Sequence, residues 1–259
     1  MEKKATIIAV TGKGGVGKTS IAAIIVKVLR DMKPQARILA IDADPAVGLS
    51  TALGIEVPKT IDDIRKSFID KAEAGETRQA IELLNDAQYE ILEALVEADG
   101  FNFIAVGRPE AAGCYCKVNG YLKDIISILS EKFDYVMIDG EAGVEQVNRR
   151  VMEQVSHLLL VSDPSKKGRQ VIQSIKQVAD HLVMYDKVGA VINRVREDSP
   201  IELLDTGDIP VLAYIEEDKN LNRFDIEGKS VFELPKDSPI ELGVKKALKE
   251  FRILQEESR

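Results

Sequence analysis

Residues 12 to 19, Gly12-Lys13-Gly14-Gly15-Val16-Gly17-Lys18-Thr19, constrain the fold of this chain more than any other stretch. They follow an apolar run, Ile7-Ile8-Ala9-Val10, and precede apolar residues at helical spacing. A glycine-rich turn between strand and helix lets backbone N–H groups converge on a polyphosphate, and the helix adds its positive N-terminal end. Lys18 is the candidate to bridge the outer phosphates and the Thr19 hydroxyl to ligate Mg²⁺. The expected contacts to ATP or ADP are therefore Gly12, Lys13, Gly14, Gly15, Val16, Gly17, Lys18, Thr19 and Ser20. The other reading is a chance glycine-rich turn, and two lysines among four glycines at a strand end argue against it.

Downstream, Ile21, Ile24, Ile25, Val28 and Leu29 predict a helix with one buried face, closed by Pro34. Arg37 to Ile41 predicts a second strand, running into Asp42-Ala43-Asp44-Pro45. Ile61, Ile64 and Phe68 suggest one helix, and Ile81, Leu84, Ile91, Leu92 and Leu95 another. Asn102 to Val106 predicts a buried strand, Gly107 to Cys116 a loop, and Tyr121, Ile125, Ile128 and Leu129 a helix. Tyr135 to Asp139, His157 to Ser162, Val188 to Ile192 and Ile209 to Ala213 predict strands. A helix through Val171, Ile175 and Val178 lies between the second and third of these, and Val244, Leu248, Phe251 and Leu254 mark a last helix. Buried strands alternating with helices predict an α/β fold: a doubly wound, mostly parallel sheet with helices on both faces.

The chain of 259 residues is expected to form a single domain, residues 1–259. Its composition, 45% hydrophobic and 30% charged with no run long enough to span a bilayer, predicts a soluble protein. Met1-Glu2-Lys3-Lys4 leads directly into the first strand, without the apolar segment of a signal peptide, so a cytoplasmic location is expected. A formal charge of -8 argues against broad binding to nucleic acid, and no membrane partner is expected. His157, before an apolar strand, and His181, late in a helical run, are expected to be ordinary structural or surface residues.

The form K-G-G-V-G-K-T, with Lys13 directly after the first glycine, resembles the deviant Walker A motif of the MinD, ParA and nitrogenase iron-protein group. In that group this lysine reaches the partner's nucleotide across a homodimer, so the resemblance implies an ATP-gated dimer; a solvated lysine on the loop's shoulder is the plain alternative. Two carboxylates ending a strand beside a phosphate loop occupy the edge where open α/β sheets place ligands. By the same resemblance Asp44 orients the attacking water, Asp42 supports Mg²⁺ through a bound water, and Asp139 senses the γ-phosphate with Gly140-Glu141-Ala142-Gly143 after it. Lys13, Lys18, Asp44 and Asp139 are thus the expected catalytic set. The alternative for any one aspartate is a helix N-cap. An asparagine in the position of Asn193 hydrogen-bonds adenine in the related ATPases; Arg194 follows it, and Ile215 to Asp218 is a weaker second wall. A turn-forming asparagine is the plain alternative.

Both cysteines of the chain lie in Cys114-Tyr115-Cys116. At i and i+2 in extended backbone both thiolates address the same side. They suit Zn²⁺, Ni²⁺ or an iron–sulfur cluster, but a four-sulfur site needs a second copy of the chain. Burial as small hydrophobes is the other reading. Gly107-Arg108-Pro109-Glu110 through Gly113-Cys114-Tyr115-Cys116 and Asn119, on a chain with this phosphate loop, is similar to the nickel-insertion ATPases of carbon monoxide dehydrogenase and acetyl-CoA synthase, the CooC and AcsF type. That resemblance implies that Cys114 and Cys116 of two subunits hold nickel or zinc, and that ATP hydrolysis is coupled to nickel delivery into a client enzyme. Two rivals remain: an iron–sulfur ATP-dependent reductase, and a MinD- or ParA-like positioning ATPase whose surface helix would be Lys245, Lys246, Lys249 and Arg252 opposite Leu248, Phe251 and Leu254.

Overall fold

The computed structural model describes residues 4–44, 46–73, 89–107, 124, 126–140, 154–201 and 204–254. The first apolar run forms β1 (Thr6–Gly12) and the helical pattern after it α1 (Lys18–Met32). There follow β2 (Ile38–Asp42), α2 (Gly48–Leu53), α3 (Ile61–Glu73), β3 (Val96–Ala98), β4 (Phe101–Ala105) and β5 (Tyr135–Asp139). The later elements are β6 (Gln154–Ser162), α4 (Lys166–Leu182), β7 (Met184–Val195), β8 (Val211–Glu216), α5 (Lys219–Glu227), a 3₁₀ turn (Val231–Glu233) and α6 (Pro239–Glu250).

Among the described residues the strands make one sheet in the order β3-β4-β2-β5-β1-β6-β7-β8. Every pairing is parallel except that of the edge strand β3 with β4. Strand alternation splits the core. Ile8 and Val10 face the layer of α1, α2 and α6, whereas Ala9 joins Ile41, Ile138 and Ile172 on the layer of α3 and α4. Helices therefore cover both faces of a doubly wound, mostly parallel sheet.

The departures from expectation are local. The pattern ending at Leu95 does not run on as helix: 89–94 is helical, and β3 turns back on β4 through Asp99-Gly100, with Gly100 at φ 80°. An Asp-Gly pair between short apolar runs is a hairpin signal that was available in the sequence. The last strand begins at Val211, not Ile209, because Pro210 has no N–H to give; its carbonyl accepts from the Ala190 N–H at 2.8 Å. His157 lies within β6, with Nδ1 2.8 Å from the Ser156 hydroxyl and Nε2 3.3 Å from the Phe251 carbonyl. The apolar face of the C-terminal segment is buried on α1 and β8, with Val244, Leu248, Phe251 and Leu254 at most 3% exposed, so it is core and not a surface-binding stripe. No helix among the described residues is long and apolar enough to cross a membrane.

Candidate functional site

The nucleotide loop sits at the carboxyl end of β1, the strand flanked by β5 and β6 from opposite sides of the sheet. Gly12 has φ 150°, and a Cβ there would lie 2.1 Å from the Val161 carbonyl oxygen, so only glycine lets the loop leave the sheet beside β6. Gly17, at φ 91°, is the N-cap of α1; it offers no side chain to the helix, and the first turn carries no acid. The first N–H groups of α1 are thus left for an exogenous anion. Lys18 is buried and its Nζ donates to the Lys13 carbonyl at 3.3 Å, within the loop it would otherwise span.

Strand register places the acids. Asp42 and Asp139 are neighbours across β2 and β5, and Asp139 lies beside Val10 of β1. Asp42 is fully buried; its Oδ1 accepts from the Asp44 N–H at 3.1 Å and its Oδ2 from the Leu49 N–H at 2.9 Å. Burial raises it to about 6, against the lowering effect of those N–H groups, and the Asp44 charge adds to the rise. With both oxygens committed to backbone, Asp42 is the anchor of the loop before α2. Asp44 is half-buried, and its Oδ1 accepts from the Ala46 N–H at 2.9 Å.

Asp139 is different. It is 1% exposed, and neither carboxylate oxygen has a partner in hydrogen-bonding geometry, although the Thr19 hydroxyl lies beside it. Burial pushes it up to about 7; Thr19 and Lys18 oppose the shift, and Asp42 and Asp44 reinforce it. An orphaned buried carboxylate next to a threonine hydroxyl suits a hydrated Mg²⁺, a cation held by one or two protein oxygens together with phosphate. Among the described residues no group of three or more His, Cys, Asp or Glu side chains converges on a metal, so such an ion would need the nucleotide's own oxygens.

Lys13 points to β6: its Nζ is 2.7 Å from Asp163 Oδ2, with both side chains about one quarter exposed. The Asp163 carboxyl feels burial as an upward push, but Lys13 and Ser165 outweigh it and hold it below its ordinary value. Asp163 escaped the sequence reading, though it repeats the signal used for Asp139, an acid directly after an apolar strand. Asn193 is 5% exposed and its Nδ2 donates to the Val16 carbonyl at 2.8 Å. Arg194 donates from Nη1 to the Gly15 carbonyl at 2.9 Å. In the second wall, Asp218 caps α5 by accepting from the Asn220 and Leu221 N–H groups at 2.9 and 3.1 Å. His181 is exposed. Cys114, Cys116 and Glu141 to Gly143 lie outside the described residues, as does most of the expected loop 107–116.

A glycine loop on a central parallel strand, with an acid ending the neighbouring β5 and another ending β2 one strand further on, defines a P-loop nucleotide-binding protein. The chain belongs to the CobQ/CobB/MinD/ParA nucleotide-binding family, whose domain it matches over residues 7–231. It is 35% identical to the uncharacterized ATP-binding protein MJ0685 of Methanocaldococcus jannaschii, over 90% of this chain and 93% of that one. It is 30% identical to the carbon monoxide dehydrogenase accessory protein CooC of Rhodospirillum rubrum, over 88% and 89%. The septum site-determining protein MinD of Bacillus subtilis is 25% identical over 73% of this chain and 65% of its own length. Among solved structures the fold matches the ParA family ATPase of Chlorobium tepidum with a TM-score of 0.70 at 20% identity, over 95% of this chain and 99% of that one. The architecture is the P-loop NTPase fold of the MinD/ParA, deviant Walker A type.

Proposed function

We propose that this protein is an ATP-hydrolysing switch that works as a homodimer and delivers Ni²⁺ to a client nickel enzyme of the carbon monoxide dehydrogenase or acetyl-CoA synthase kind. The observation that carries the ATPase reading is the buried, unpartnered Asp139 carboxylate beside Thr19 and Lys18 at the mouth of the loop. Mg²⁺, when bound, would supply charge neutralisation for the outer phosphates. The loop N–H groups and Lys18 grip the phosphates, Thr19 and Asp139 would hold the cation, and Asp44 aims water at the γ-phosphate. The cargo reading rests on Cys114 and Cys116 and on the similarity to CooC. Zn²⁺ fits the same thiolates.

In this reading Lys13 crosses to the partner's nucleotide, so its ion pair with Asp163 must open first. Asp163 is then a latch. Asp163→Asn keeps the acceptor for Ser165 but weakens the hold on Lys13, and it should lower the ATP concentration for half-maximal dimerisation roughly two- to fivefold, the worth of a partly exposed ion pair. Light scattering during an ATP titration measures this; an unshifted curve would remove the latch.

A second reading, a positioning ATPase, draws on the greater number of named relatives: MinD proteins, a carboxysome-distribution protein and solved ParA and MinD folds. The burial of the C-terminal apolar face withdraws one surface-binding device from it. One experiment separates the two. Reduced protein is titrated anaerobically with Ni²⁺, with and without ADP or ATP, following thiolate-to-nickel absorption and mass together. Saturation near about one Ni²⁺ per dimer, lost in Cys116→Ser, is the expected result. Absence of that absorption, with ATP-dependent sedimentation on lipid or DNA, would replace nickel delivery by positioning.

A further inference from the structure

Strand geometry forbids what Asn193 and Arg194 do. Consecutive residues of a strand point to opposite faces of the sheet, yet these two donate to successive carbonyls of one loop, Val16 at 2.8 Å and Gly15 at 2.9 Å. The cause is a bulge in β7. Its register on β8 runs from Ile192↔Tyr214 to Val195↔Glu216, so three steps along β7 match two along β8, and Arg194 takes up the extra residue at φ 59°. A left-handed arginine is uncommon, and it persists only where surrounding contacts hold it there. Here it re-aims the guanidinium from the far face onto the phosphate loop.

We infer that the β7 bulge is a clasp that sets the phosphate loop for nucleotide, with Arg194 and Asn193 as positioning residues. A trans peptide is planar, so its carbonyl and the next residue's N–H point in opposite directions. Drawing the Gly15 carbonyl to Arg194 and the Val16 carbonyl to Asn193 therefore directs the Val16 and Gly17 N–H groups the other way, into the hollow of the loop. The fit around Asn193 is tight: a Cβ on Gly17 would lie 2.7 Å from its Nδ2. Asn193 thereby has a second task beside the base contact expected of it. Arg194 acts through the loop and need not touch the nucleotide.

The inference rests on the nucleotide-binding reading, and the wild-type protein tests that reading in the same experiment. Calorimetric titration with Mg·ADP is run on wild type, Arg194→Gly and Arg194→Lys, alongside thermal melts. Glycine adopts the left-handed backbone freely, so Arg194→Gly should melt at or above the wild-type temperature. Its Kd for Mg·ADP should nonetheless rise roughly five- to tenfold, the loss of one hydrogen bond that orients the loop. Arg194→Lys keeps a donor that can reach a carbonyl and should stay within about twofold of wild type. Wild-type affinity in Arg194→Gly would overturn the clasp. A loss in Arg194→Lys equal to that in Arg194→Gly would overturn it too, assigning the guanidinium to direct contact with nucleotide. Wild-type protein that fails to bind Mg·ADP would instead remove the nucleotide reading beneath it.

Discussion

Glu241→Leu is expected to destabilise the protein by about 3–5 kcal/mol, and the double variant Lys27→Met/Glu241→Leu to recover most of that loss. Lys27 lies in the middle of α1 and is 1% exposed, as is Glu241 on α6. Lys27 Nζ sits 2.7 Å from Glu241 Oε2 and also donates to the Leu234 carbonyl, while Glu241 Oε1 meets Lys245 at 2.7 Å. Removing the carboxylate strands an ammonium in the apolar layer with one carbonyl for company. Removing both charges leaves apolar groups of similar length in the same place, which is why the pair is expected to be worth far less than either single deletion suggests. Urea denaturation of the two single variants and the double variant measures this. Additive losses would mean that the charges do not act as a pair. The pair matters to function because α1 also carries Lys18 and Thr19 at its other end, so α6 braces the nucleotide helix and is not available as a separate arm.

Asp42 and Asp139 should make the nucleotide-free protein lose stability as pH rises from about 4 to about 7, while His157, held below its ordinary value chiefly by burial, works in the opposite sense. Asp42 and Asp139 are raised from an ordinary 3.8 to about 6 and about 7, so across that window the folded chain binds protons that the unfolded chain has released. Stability falls wherever the folded state holds more protons, and each tenfold difference in proton affinity between the two states is worth about 1.4 kcal/mol, so Asp139 alone accounts for several kcal/mol. Above about pH 7 both states are ionised there and the penalty is constant. Asp139→Asn removes the largest contribution: it should be more stable than wild type at pH 8, similar at pH 4, and inactive as an ATPase. Mg²⁺ with nucleotide gives the ionised carboxylate a partner, so ligand should raise the wild-type melting temperature more at pH 8 than at pH 5.5. Thermal melts of both proteins at these pH values decide it; parallel pH profiles would show that Asp139 titrates normally.

The legible parts of the site were those written in short stretches. An apolar run followed by an acid marked the ends of β2 and β5, and the loop from Gly12 to Thr19 was readable because its chemistry needs glycines, a lysine and a hydroxyl at close spacing. The acid after β6 carries the same mark, but Asp163 gains its meaning only from Lys13, 150 residues earlier. Edge strand β3 was lost because three residues cannot establish an alternation, although Asp99-Gly100 announced the turn. Helix α5 is hard to read because its apolar residues are few: Leu221 and Phe224 pack only partly buried on the core, and Ile226 faces solvent.

What the sequence determined alone is the local chemistry: a phosphate loop between strand and helix, strands read from continuous apolar runs, two acids poised to end them, and a pair of thiols in one tripeptide. Each follows from neighbours within a few residues, where backbone geometry and side-chain periodicity act directly. Tertiary structure decided which strands lie together, and hence that Asp42 and Asp139 share one edge with the loop. It decided that Lys13 is tethered to Asp163, that Lys27 finds Glu241, and that a bulge in β7 turns Arg194 onto the Gly15 carbonyl. These contacts join segments far apart in the chain. Their energies depend on burial and on distances that exist only after the sheet has assembled around β1, so no local pattern could have announced them.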